Sequence, residues 1–103
     1  MEVINAEKLV ELQKSGVKVV DVRRPEEFAE GRIPGAVNVT LSENFAELMA
    51  EFDKNESVIV YCRSGRRSTN AANQLQSAGY TKVLNYTGSY LDWSGSNRPI
   101  EKD

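Results

Sequence analysis

The apolar run Val58-Ile59-Val60-Tyr61 stops at the chain's only cysteine and gives way to the cationic segment Cys62-Arg63-Ser64-Gly65-Arg66-Arg67-Ser68. A short run rich in β-branched residues reads as a buried strand, and Ser68-Thr69-Asn70-Ala71-Ala72-Asn73-Gln74-Leu75 reads as the start of a helix ending near Ala78-Gly79. The junction predicts a strand-to-helix loop, and the rest of the chain repeats the alternation. Val3-Ile4 reads as a short edge strand, and Asn5 as the cap of a helix through about Lys14 with Leu9, Val10 and Leu12 facing inward. Val17 to Val22 reads as a strand, and Pro25 opens a short helix that Gly31 closes. Ile33-Pro34-Gly35 is a turn into the short apolar segment Ala36 to Val39, and Ser42 is expected to cap a helix carrying Phe45, Leu48, Met49 and Phe52. Val83 to Tyr86 reads as a further strand, followed by a short helix through Trp93. The polar tail from Gly95 to Asp103 is expected to be loosely held. This order predicts a single α/β domain over residues 1–103 with a mainly parallel central sheet. Sites in such sheets lie at the carboxyl ends of strands, which is where Cys62 falls.

Composition removes several chemistries. The chain has no histidine and one cysteine, which excludes an internal disulfide framework, a cysteine-based zinc site and an imidazole base for a nucleophilic cysteine. A net charge of −2 gives no reason to expect bulk nucleic-acid binding; the basic character is local to the loop. No apolar stretch approaches the ~20 residues of a membrane span, and the N-terminus lacks the basic and apolar regions of a signal peptide. The sequence therefore reads as cytoplasmic, with a mature exported form as the alternative, and as a monomer or weak dimer.

A lone cysteine is ordinarily a small core residue. Here its flanks argue otherwise, because Arg63, Arg66 and Arg67 are poor packing material for a strand terminus and Gly65 supplies the backbone freedom of an anion-binding nest. Free cysteine titrates near about 8.5, and a helix N-terminus with cationic neighbours lowers that value. Thiolate is the expected form near neutral pH. Ser68 reads first as the cap of the following helix, with a hydroxyl contact to sulfur as the lesser reading.

Three segments together resemble the rhodanese-like sulfurtransferase family in its small single-domain form. Asp21-Val22-Arg23-Arg24-Pro25-Glu26-Glu27-Phe28-Ala29-Glu30-Gly31-Arg32-Ile33-Pro34-Gly35-Ala36 is similar to its N-terminal signature, Cys62 to Arg67 to its Cys-X-X-Gly-X-Arg loop, and Gly88-Ser89-Tyr90-Leu91-Asp92-Trp93 to its Gly-X-X-X-X-Trp element. The resemblance implies a five-stranded parallel sheet flanked by helices, and a persulfide on Cys62. Arg32 stands where the family usually has histidine and Thr87 where a second glycine is common. Both departures are expected to change the local surface and leave the sulfur-bearing loop untouched. Asp21, Arg23 and Glu27 read as residues that hold the loop after the second strand through ion pairs, and Trp93 as a packing residue.

The implied reaction takes a sulfane sulfur from a small anionic donor such as thiosulfate and passes it to cyanide or a thiol, with no metal or organic cofactor. Cys62 is the expected nucleophile, and Arg63, Ser64, Gly65, Arg66, Arg67 and Ser68 the expected substrate-binding residues. A protein thiol acceptor or a persulfide-donating protein is the expected macromolecular partner. A phosphatase or arsenate reductase on the same fold is one rival. Cysteine phosphatases have one residue more between nucleophile and arginine than the four, Arg63 to Arg66, that separate Cys62 from Arg67. A non-catalytic or regulatory binding module is the other rival; such modules often lack the cysteine.

Overall fold

The computed structural model describes all 103 residues. Ten elements follow one another: β1 (Glu2–Ile4), α1 (Ala6–Lys14), β2 (Lys18–Asp21), α2 (Pro25–Glu30), β3 (Val37–Asn38), α3 (Phe45–Leu48), β4 (Val58–Tyr61), α4 (Arg66–Ser77), β5 (Val83–Tyr86) and α5 (Ser89–Gly95). The five strands form one sheet in the order β1-β5-β4-β2-β3, with every pairing parallel. β4 is therefore central, with Val60 opposite Val20 of β2 and Asn85 of β5.

A strand in this position is covered by helices on both faces, which is why β4 has no polar alternation. Val58 and Val60 join Cys62 in one apolar cluster with Phe45, Met49, Ala71, Ala72 and Leu75. Ile59 and Tyr61 point the other way, into a cluster with Leu9, Ile33, Tyr86 and Trp93. Burying each such aliphatic side chain stabilises the fold by roughly 1.5–3 kcal/mol. The period of two places Cys62 on the α4 face, one residue beyond the strand.

Three local expectations change. Ser42 does not cap a helix that runs past Phe52: α3 is one turn long, and the Ser42 hydroxyl bonds Asn44 Oδ1 at 2.7 Å instead. Phe45 and Met49 are buried, but Leu48 faces solvent, so the apolar spacing there marks contacts of a short turn and its flanks. α4 begins at Arg66, two residues before Ser68, with Gly65 at the cap position and φ +100°. The tail is also anchored rather than loose. Arg32 and Glu101 exchange backbone hydrogen bonds of 2.9 and 3.0 Å, Arg32 Nη1 reaches Asp103 at 2.7 Å, and Trp93 Nε1 donates to the Pro99 carbonyl at 2.7 Å. Arg32, in place of the family's histidine, thus pins the C-terminus while its guanidinium lies 4.4 Å from the Phe28 ring centre.

Candidate active site

Cys62 is 1 % exposed, and both of its backbone groups are fixed by the corner between β5 and α5. Its N–H donates to Ser89 Oγ at 3.1 Å, and its carbonyl accepts from Tyr90 N at 3.0 Å. The Arg63 carbonyl accepts from Leu91 N at 3.1 Å in the same way. The sulfur itself accepts from Gly65 N at 3.0 Å. Such convergence requires Gly65: a left-handed backbone disfavours any Cβ, and one added here would lie 2.5 Å from the Thr87 carbonyl oxygen. Thr87 meets the loop through backbone atoms that a glycine in its place would also present. Thr87 itself has no left-handed backbone; the positive φ of that corner lies at Ser89, at +59°.

Burial pushes the Cys62 thiol up, but the amide and hydroxyl of Ser68 and the amides of Gly65 and Ser64 outweigh it, so the group titrates below its ordinary value. Neutral donors of the loop and first helical turn are the leading stabilisers, as expected where unpaired amides meet an anion. Ser68 is fully buried inside the first turn of α4, so it is not the cap that its sequence suggested. Its hydroxyl donates to the Gly65 carbonyl at 3.1 Å and also helps to lower the Cys62 thiol.

The three arginines separate. Arg63 and Arg66 are exposed and form no ion pair, whereas Arg67 is clamped to Glu27 of α2 by Nη1–Oε1 at 2.7 Å and Nη2–Oε2 at 3.0 Å. Glu27 is the main cause that raises Arg67 above its ordinary value, with the thiolate a smaller one. The same carboxylate accepts from Arg24 N at 3.1 Å, tying the start of α2 to the start of α4. Behind it, buried Arg23 pairs with buried Asp21 at 2.8 Å, donates to the Gly31 carbonyl at 2.6 Å and lies 4.4 Å from the Tyr90 ring centre. Asp21, Arg23 and Glu27 thus hold backbone and loop, as their sequence context implied. A depression of about 250 Å³ lined by Arg23, Glu27, Glu30, Gly31, Arg63 and Tyr90 opens beside the loop.

Of the residues predicted to bind substrate, Gly65 donates to the sulfur, Ser64 and Ser68 help to lower the thiol, and the exposed Arg63 and Arg66 border solvent. Ser89 and Thr69 were not singled out from sequence. Thr69 Oγ1 donates to the Gly65 carbonyl at 2.8 Å and accepts from Asn85 Nδ2 at 3.0 Å, so β5 braces the loop. Ser89 falls within the signature Gly88 to Trp93 without being distinguished in it, and no local pattern marks Thr69 beyond its place in the predicted helix.

A family model described as the rhodanese-like domain matches residues 5–96. The chain belongs to the rhodanese-like family. A sulfurtransferase of Allochromatium vinosum is 39% identical over 84 residues, covering 82% of this chain and 78% of that protein. A Schizosaccharomyces pombe protein, named provisionally as a mitochondrial thiosulfate sulfurtransferase, is 42% identical over 89 residues, covering 74% of this chain and 62% of that protein. Among solved structures, a human single-domain sulfurtransferase matches with a TM-score of 0.77 at 29% identity, covering 92% of this chain and 96% of that one. The five-stranded parallel sheet of this rhodanese-like domain is thus shared with its structural neighbours. No helix is long and apolar enough to cross a membrane.

Proposed function

We propose that this rhodanese-like domain is a sulfurtransferase that carries sulfane sulfur as a persulfide on Cys62. The observation that supports it best is the Gly65 amide 3.0 Å from the sulfur, in a turn whose Ser64 amide and Ser68 amide and hydroxyl help to lower the thiol below its ordinary value. In the first half-reaction the thiolate attacks the outer sulfur of thiosulfate. A Cys62 Sγ–S bond forms, the donor's S–S bond breaks, and sulfite leaves with the electron pair. The terminal sulfur of the persulfide is then anionic, and the same donors can hold it. In the second half-reaction cyanide or a thiolate takes that sulfur and Cys62 is regenerated, which is double displacement.

Arg63 and Arg66, free of ion pairs, are the candidates to attract the donor dianion. Arg67 spends both terminal nitrogens on Glu27, which disfavours a phosphatase reading that needs this arginine to clamp phosphoryl oxygens. The physiological partner on this reading is a thiol acceptor or persulfide donor, met in a reducing, cytoplasm-like compartment where a lone thiol persists. Thiosulfate treatment followed by intact-mass analysis is expected to add one sulfur to the wild type and none to Cys62→Ser. Absence of an adduct with thiosulfate, polysulfide and persulfide donors would sink the proposal.

A further inference from the structure

Ser89 is an unexpected residue at its position. It is fully buried with φ +59°, a conformation that glycine adopts freely and a residue with a Cβ does not. The only other non-glycine residue with positive φ, Asn97, is exposed and of a type that tolerates the left-handed region. The Ser89 hydroxyl accepts from Cys62 N at 3.1 Å, donates to the Tyr86 carbonyl at 2.9 Å, and stands 3.8 Å from Cys62 Sγ. It comes from the β5–α5 corner, whereas every other donor to the sulfur comes from the loop and α4.

We infer that Ser89 stabilises Cys62 Sγ as the leaving group when an acceptor removes the outer sulfur. The inference rests on the persulfide reading above. In a loaded site the outer sulfur is anionic and competes for the loop amides. Ser89, bonded to the N–H of Cys62 itself, stays with Sγ. When cyanide attacks, a C–S bond forms and the Sγ–S bond breaks. Thiocyanate departs, and Sγ keeps the electron pair and becomes a thiolate. A hydroxyl proton is free to rotate, and it can turn from the Tyr86 carbonyl toward that new charge. A thiol with a better stabilised anion leaves faster, while its strength as a nucleophile falls. Ser89 therefore favours discharge over loading.

The experiment compares wild type with Ser89→Gly, which relieves the backbone conformation while deleting the hydroxyl, and with Ser89→Ala as a second variant. The pH profile of Cys62 alkylation by iodoacetamide is expected to move upward by about half to one unit in Ser89→Gly. In single-turnover assays at alkaline pH, thiosulfate loading should stay within about twofold and cyanide discharge should slow about threefold or more. An unchanged alkylation profile together with equal effects on both half-reactions would overturn the role and leave Ser89 as packing. Failure of the wild type to take up sulfur would remove the proposed function and the leaving-group step together; the alkylation profile would then still decide whether the hydroxyl acts on the sulfur.

Discussion

Gly65 and Gly16 have nearly the same φ, +100° and +101°, in different surroundings. A Cβ on Gly16 would meet nothing within 4 Å, whereas one on Gly65 would meet Thr87 O at 2.5 Å and Thr87 C at 3.4 Å. Gly16→Ala therefore measures the left-handed conformation alone, about 1–2 kcal/mol, reduced by a few tenths because alanine also restricts the unfolded chain. Gly65→Ala adds an overpacking term of about 1–3 kcal/mol, since the obstacle is backbone and cannot swing away. The total loss for Gly65→Ala should be about 2–5 kcal/mol, read from equilibrium urea unfolding beside Gly16→Ala. Relief of the clash must pull the loop from β5, which withdraws the Gly65 amide from its 3.0 Å contact with sulfur. Alkylation of Cys62 in Gly65→Ala should then shift to higher pH, and Gly16→Ala should keep the wild-type profile. Equal destabilisation of the two variants, with no change at Cys62, would refute the argument that Thr87 sets the loop's position.

Three further outcomes are expected. Glu27, held down to about 2 by its hydrogen bonds to Arg67, helped by the Arg24 amide, should contribute stability that is present above its ordinary value of 4.5 and lost as pH falls toward 2. Because the pair is partly solvated, Glu27→Gln should cost only about 1 kcal/mol at neutral pH, and urea unfolding curves of variant and wild type should converge through that acid window. Asp21→Asn removes the partner of a buried guanidinium and should cost about 3–5 kcal/mol, seen as a lower urea midpoint with unchanged slope. Arg32→Ala releases the side-chain anchors of Glu101 and Asp103, so amide exchange at Glu101 should accelerate about five- to tenfold while β4 amides keep their protection.

Legibility in the sequence follows the distance over which each feature is determined. The strands Val58–Tyr61 and Val83–Tyr86 and the helix stops at Gly16 and Gly79 depend on neighbours in the chain, and their spacing announces them. Ser42 and Ser68 misled because a hydroxyl residue before an apolar pattern is a cap only if the helix starts there, and Gly65 and Asn44 take those positions. The tail looked loose because its composition is polar. Its anchors, Arg32 and Trp93, lie outside it, and nothing within residues 95–103 reveals them.

The sequence by itself determined that a lone cysteine, without any histidine, ends a buried strand and opens a cationic, glycine-containing turn. That much is local: residue type, order and spacing. Only the tertiary structure decided how the charges and donors divide around the sulfur. Parallel pairing brings β5 beside β4, which delivers Ser89 from 27 residues away to one side of Cys62 and the Thr87 carbonyl against Gly65. Packing of α2 near α4 hands Arg67 to Glu27 across 40 residues and leaves Arg63 and Arg66 free. Hydrogen bonds and ion pairs act over a few ångströms of space, and which side chains come within that reach is settled by how the sheet and helices assemble.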